Sequence, residues 1–138
     1  MTTELTIERS HLALPHLVEC AKRGETITYG GLAEKISVHH RAIPHCLYYI
    51  RDEICCPRGL PLLTAIVVHR GDRKPGESWL PGGTRRLTKE EHEHKFEEAC
   101  REVFAYQGWD DLLRELDLLP TPELERGVNT REQMISLP

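Results

Sequence analysis

The chain has 138 residues, of which 39% are hydrophobic and 29% are charged, and it carries a formal net charge of -4 at pH 7. This length fits one domain with a single hydrophobic core, and the composition is that of a globular protein. No run of residues approaches the roughly 20 apolar positions that a membrane-spanning helix needs, so we expect no membrane association. The negative total argues against tight, indiscriminate binding to nucleic acid.

The first residues and the cysteines together predict a cytoplasmic protein. The stretch MTTELTIERSHLALPHL lacks the apolar segment and the small-residue cleavage site of a secretory signal. The five cysteines have no regular spacing. We therefore expect reduced thiols rather than a disulfide framework.

Charge is distributed unevenly along the chain. Residues 37–89 contain nine Lys or Arg against four Asp or Glu, a net charge of +5. Residues 90–138 contain five against thirteen, a net charge of -8. This asymmetry indicates a basic middle section that faces a polyanion. The acidic last third is either a solvated face or a surface for a basic protein partner.

Hydrophobic periodicity predicts three helices before residue 57. The first spans about 11–23, with its start placed near Leu14 because Pro15 is tolerated only in a first turn. A short second helix follows the Tyr-Gly-Gly sequence. A third begins near His40, or bends at Ile43, and its apolar residues recur at i, i+4, i+7 and i+11.

The segment after the third helix predicts a β-hairpin over about 62–82. Residues 62–70, LLTAIVVHR, are rich in β-branched residues and almost uniformly apolar, which is typical of a buried strand. The sequence GDRKPGE is a turn, and SWLPGG supplies the returning strand. The hairpin would carry a basic tip.

The last third predicts an acidic helix over about 88–107, because Thr88 and Glu91 form the T-x-x-E capping box. Residues 120–138 are polar and rich in proline, and we expect a loosely ordered tail there. We predict a single α+β domain over 1–119. Its order of elements is that of a mainly helical winged helix-turn-helix with a β-hairpin wing and additional C-terminal helices.

Such a fold presents the N-terminal end of its second turn-separated helix to the major groove of DNA. That end and the wing tip both lie in the basic middle section, and Arg85, Arg86 and Lys89 either extend the patch or simply precede the acidic helix. The candidate DNA-binding residues on them are His39, His40, Arg41, His45, His69, Arg70, Arg73 and Lys74. For each of them the alternative is an ordinary solvated surface group.

The sequence ITYGGLAEKI…HHRAIPHCL…LPLLTAIVVHRGDRKPG resembles the winged-helix domain of the alkylguanine-DNA alkyltransferases and their alkyltransferase-like relatives. The likeness covers about residues 26–71, a third of the chain. It implies that Arg41 is the side chain inserted into a duplex when a nucleotide is extruded, and it adds Tyr29 to the candidate DNA-binding residues. Thr64 stands where that family has its reactive cysteine, and Ala65 where it has the activating histidine. Alkyl transfer to a cysteine is therefore not expected.

A looser likeness links the chain to small uncharacterised prokaryotic and phage proteins. It lies at residues 29–33, 59–62, 67–68 and 74–76, in the pattern YG-x-LA…GLPL…VV…KPG. This likeness spans more of the chain than the first one, but it implies no activity.

The sequence contains no recognisable catalytic motif. Cys55 and Cys56 are adjacent, and no second pair of ligands at zinc-site spacing accompanies them, so we predict neither a metal nor a cofactor. A non-enzymatic role follows, although a cysteine-based enzyme using Cys46 or Cys100 stays open.

The predicted function is non-enzymatic binding of double-stranded DNA, either as a regulator or through recognition of a distorted or modified duplex. The alternative is a protein-interaction adaptor, or a protein of phage–host conflict. Such a protein would bind its partner through the same groove or through the acidic helix.

Overall fold

The computed structural model describes residues 3–120, and over that range the chain is mainly helical with a small two-stranded parallel sheet. The α-helices are α1 (Glu4–Arg23), α2 (Tyr29–Lys35), α3 (Ile43–Tyr49), α4 (Cys56–Arg58), α5 (Lys89–Ala105) and α6 (Trp109–Glu115), and the strands are β1 (Ile27–Thr28) and β2 (Val67–Val68). Short 3₁₀ helices span His40–Ala42, Leu63–Ile66 and Glu77–Trp79, and a π-helical segment spans Ile50–Cys55. The expected helical α+β class is confirmed.

Helix α1 begins at Glu4, well before the predicted start near Leu14. The hydroxyl of Thr3 caps the helix, so the chain is already helical when it reaches Pro15. A proline inside a helix removes one backbone hydrogen bond. Pro15 is nevertheless buried with the apolar face of α1, and the packing of that face outweighs the local penalty. Gly24, at φ 70°, ends the helix in the left-handed conformation.

The hydrophobic core is built around α1, which lies against α3, α6 and the 3₁₀ helix that precedes β2. The largest fully buried side chains are Trp79, Trp109, Leu14, Leu17, Leu32, Ile43, Leu47, Ile50, Ile54, Leu63, Ile66 and Leu113. Each such side chain contributes about 1.5–3 kcal/mol to stability when it leaves water. A smaller cluster of Ala65, Trp79 and Ala99 joins the loop after β2 to α5.

The chain does not form the predicted hairpin over 62–82, a range that the structure describes in full. Its first part is a 3₁₀ helix, and only β2 is extended. Strand β2 pairs in parallel with β1, with Ile27 opposite Val67. The returning segment is a loop that ends in a second 3₁₀ helix, because the indole of Trp79 is buried against α5 and draws the segment away from β2.

The third predicted helix forms as a composite element. A 3₁₀ turn starts at His40, and α3 follows from Ile43 with Pro44 in its first turn, where a missing amide hydrogen costs no helical bond. The π-helical segment then continues the same rod to Cys55. The predicted start near His40 is confirmed, and the proline causes no break.

Helix α5 matches the predicted acidic helix to within two residues at its C-terminal end. The hydroxyl of Thr88 accepts a hydrogen bond from the Glu91 amide at 3.1 Å, and the Thr88 amide donates to the Glu91 carboxylate at 3.0 Å. These bonds hold the pKa of the Glu91 carboxyl below its usual range. The capping box predicted from the sequence is therefore present.

Two sequence-based expectations concern the outer parts of the chain and its relation to membranes. From residue 121 onward, the predicted tail lies outside the described residues. Between residues 3 and 120, no helix combines the length and the apolar character that crossing a membrane requires.

Replacing Thr88 by alanine should lower the free energy of unfolding by about 0.5–2 kcal/mol, because it removes the acceptor for an otherwise unpaired helical amide. Thr88→Ser keeps a capping hydroxyl and should remain close to the wild type. Urea denaturation of the three proteins measures the difference. Equal stability of the alanine variant and the wild type would contradict a role for this cap.

Candidate nucleic-acid interface

A groove of about 480 Å³ lies between the start of α3 and the loop after β2. Its lining residues are Tyr29, His40, Arg41, Pro44, Tyr48, His69, Gly76, Glu77 and Ser78. Four of these, Tyr29, His40, Arg41 and His69, are among the candidates predicted from the sequence. The volume falls within the range of about 300–1,000 Å³ that is usual for small-molecule sites.

The floor of the groove is an aromatic pair. The rings of Tyr29 and His69 stack with their centroids 4.7 Å apart and their planes at 27°. Tyr29 is the first residue of α2, and its hydroxyl accepts a hydrogen bond from the Gly76 amide at 2.9 Å. A Cβ atom at Gly76 would lie 2.9 Å from the Tyr29 hydroxyl oxygen and 3.2 Å from Nε2 of His69, so the loop can approach this closely only with glycine.

The basic rim of the groove is the 3₁₀ turn before α3. The rings of His39 and His40 lie with their centroids 4.3 Å apart and their planes tilted by 31°. Nδ1 of His39 accepts a hydrogen bond from the Arg41 amide at 3.2 Å, which caps the turn. Arg41, Pro44 and Tyr48 follow at i, i+3 and i+7 and so share one face of the element. Within residues 3–120 the Arg41 side chain has no ion pair or hydrogen bond, and it is exposed at the mouth of the groove.

Arg51 joins the two walls of the groove. Its guanidinium forms a bidentate pair with Asp52, at 2.6 and 2.8 Å, and donates to the main-chain carbonyls of Ser78 and Leu80 at 3.2 and 3.4 Å. It also lies 5.1 Å from the centroid of the Tyr48 ring. The hydrogen bonds from Arg51 hold the pKa of the Asp52 carboxyl below its usual range.

Three of the predicted DNA-binding residues lie outside the groove. His45 and Arg70 are exposed but do not line it. Arg73 adopts a left-handed conformation at φ 58°, and its guanidinium donates to the Thr26 hydroxyl at 3.2 Å. The structure therefore does not bring these three residues together with Arg41 in the groove.

Lys74 is paired with the acidic helix. Its Nζ lies 2.7 Å from a carboxylate oxygen of Glu93, and this contact lowers the pKa of the Glu93 carboxyl. The indole N–H of Trp79 donates to Nε2 of His92 at 3.0 Å, one residue before Glu93. Helix α5 therefore binds the loop through His92 and Glu93, and the Glu93 carboxylate partly neutralises Lys74, one of the predicted phosphate contacts.

Three positions bear on nucleophilic chemistry: Thr64, which stands where the alkyltransferase family has its cysteine, and the two cysteines that the sequence left open, Cys46 and Cys100. Thr64 is fully buried, and its hydroxyl donates to the Trp79 carbonyl at 2.8 Å. Burial raises the pKa of the Cys46 thiol, and it raises that of Cys100 to about 11. A reactive cysteine requires a shift in the opposite direction, because the thiolate is the nucleophile. All five cysteines are free thiols.

The comparisons with known proteins do not identify a family. No family model matches the chain, and no curated protein or solved structure matches it either. The described residues also contain no group of three or more His, Cys, Asp or Glu side chains that could hold a metal ion. The resemblance to the alkyltransferase winged helix therefore depends on the residues quoted for it alone.

Sequence analysis missed five of the lining residues and also Arg51. Two of the five, Pro44 and Tyr48, could have been found from their helical spacing to Arg41. Glu77 and Ser78 had no such signal, because their place depends on how the loop folds back.

Gly76→Ala should lower the free energy of unfolding by about 1–3 kcal/mol, because the added methyl group forces the Tyr29–His69 pair apart. Gly71→Ala is the matched control, since a Cβ there meets no atom within 4 Å. Thermal unfolding of both variants tests the close approach. Equal melting temperatures of Gly76→Ala and Gly71→Ala would contradict a close approach of the loop to the Tyr29–His69 pair.

Proposed function

We propose that the chain is a non-enzymatic DNA-binding protein that recognises a distorted or modified duplex through the groove beside Arg41. The proposal includes the winged helix-turn-helix description. In it α2 and α3 form the turn-separated pair, and the loop after β2 takes the position of the wing. The resemblance to the alkyltransferase family supports the same assignment.

The observation that carries the proposal is the position of Arg41 beside an aromatic groove. An arginine without a partner at the mouth of such a groove is suited to enter a base stack or to contact a phosphate. Proteins that extrude a nucleotide hold its base by stacking on aromatic side chains. Tyr29, His69 and Tyr48 offer such surfaces, and they line the same groove as Arg41.

The cost of extrusion explains why a distorted duplex is the preferred ligand. Unstacking a base costs a few kcal/mol in paired DNA and less where the base is mismatched or damaged. A protein with net charge -4 and a locally basic surface gains little from general attraction to phosphate. A groove that discriminates distorted from fully paired DNA fits these two terms better than high affinity for every duplex.

Arg41→Ala should lower the affinity for a duplex with one central mismatch by about tenfold, and it should lower the affinity for the fully paired duplex much less. Arg101→Ala, on the exposed face of α5, makes the same change in net charge away from the groove. Fluorescence anisotropy with both duplexes, at low and moderate salt, measures the affinities. Circular dichroism confirms that each variant is folded.

The same titrations separate this function from its rival. If neither duplex binds at low salt, or if Arg41→Ala and Arg101→Ala weaken binding equally, the groove does not recognise DNA. The remaining hypothesis would then be an adaptor that binds a protein partner through the groove or through the acidic helix.

Glu93→Gln should raise the affinity for DNA by about threefold, because it releases Lys74 to contact phosphate. Glu97→Gln removes the same charge one turn further along α5, so it measures the effect on DNA affinity of losing one negative charge without releasing Lys74. The salt dependence of binding should also steepen in Glu93→Gln, by up to about 0.9 in the log–log slope. Identical behaviour of the two variants would argue against any contact between Lys74 and DNA.

A further inference from the structure

We infer that Arg51 is the positioning residue of the groove: it fixes the distance between the α3 wall and the loop wall without contacting the ligand. This inference rests on the proposed function of the groove. The spacing that Arg51 sets between the two walls is also a property of the unbound protein, so it can be tested without DNA.

The guanidinium of Arg51 is almost fully occupied by partners within the protein. Four of its five N–H donors are used: two on the Asp52 carboxylate, one on the Ser78 carbonyl and one on the Leu80 carbonyl. Only 13% of the side chain is exposed. A cation in this condition cannot turn outward to a phosphate without breaking several charge-assisted bonds.

The partners of Arg51 belong to opposite walls of the groove. On the helical side it lies over the ring of Tyr48, which lines the groove. On the loop side it holds the carbonyl of Ser78, another lining residue, and the carbonyl of Leu80 beyond the buried Trp79. The planar guanidinium therefore acts as a spacer between the two walls.

The backbone around Arg51 places it in this role. It is the second residue of the π-helical segment that continues α3. Short π-helical insertions are rare and occur frequently at functional sites. The Asp52 carboxylate neutralises the guanidinium locally, so the charge remains tolerable at low exposure.

Arg51→Lys tests the role because it keeps the charge and removes the planar fork. Affinity for the mismatched duplex should fall about tenfold, while affinity for the paired duplex and the salt dependence of both should stay unchanged. Arg58→Lys is the matched control. Arg58 also divides its guanidinium between main-chain carbonyls and a carboxylate, that of Glu115, but none of these partners lines the groove.

Amide hydrogen exchange of the unbound protein gives the second readout. In Arg51→Lys the amides of residues 76–80 should exchange about tenfold faster than in the wild type, with residues 63–68 unchanged. If the wild type binds neither duplex, the DNA-binding proposal fails, and the exchange data still decide the positioning role. Unchanged exchange at 76–80 would overturn that role. Equal losses of mismatch selectivity in the Arg51 and Arg58 variants would overturn it too.

Discussion

The burial of Trp79 determines the path of the loop after β2. Its side chain is only 1% exposed and packs between the core and α5, where its indole N–H donates to His92 and its ring meets the edge of Phe96. The Thr64 hydroxyl holds its carbonyl from the other side. An indole that is buried in this way needs a hydrogen-bond partner for its polar end, and α5 supplies one. Because this anchor is fixed, the residues just before Trp79 stand opposite α3, and a groove exists between them.

The groove brings an aromatic pair and an exposed arginine to one surface. Its floor is the stacked Tyr29–His69 pair, and the exposed Arg41 lies at its mouth. Thr64, at the position of the alkyltransferase cysteine, is buried, and its hydroxyl is bonded to the Trp79 carbonyl. The basic middle section and the acidic last third meet at two ion pairs, Lys74 with Glu93 and Arg58 with Glu115. Attraction to phosphate is thereby limited where the loop is closest to α5. Under the proposed function, selectivity for the shape of a duplex would therefore matter more than total charge.

Local signals in the sequence predicted the features that depend on local chemistry. The capping box at Thr88 defined the start of α5, and helical spacing placed Arg41 at an exposed helix start. The features set by tertiary packing could not be predicted in this way. The β-branched run before His69 has the composition of a strand, but its first part is a buried 3₁₀ helix, in which the Thr64 hydroxyl bonds the carbonyl of the distant Trp79. Pro15 likewise set the predicted start of the first helix near Leu14, but the real helix starts at Glu4, since the buried face of α1 outweighs one missing hydrogen bond.

The central claim is that one surface, the groove and its basic rim, meets DNA. The most direct measurement is chemical-shift mapping by NMR of the full chain, titrated with a duplex that carries one central mismatch. The account predicts that the largest changes appear at Tyr29, Arg41, Tyr48, His69 and Gly76, and that the exposed face of α5 stays unperturbed. Changes confined to α5, or a spectrum that does not respond to the duplex at all, would contradict it.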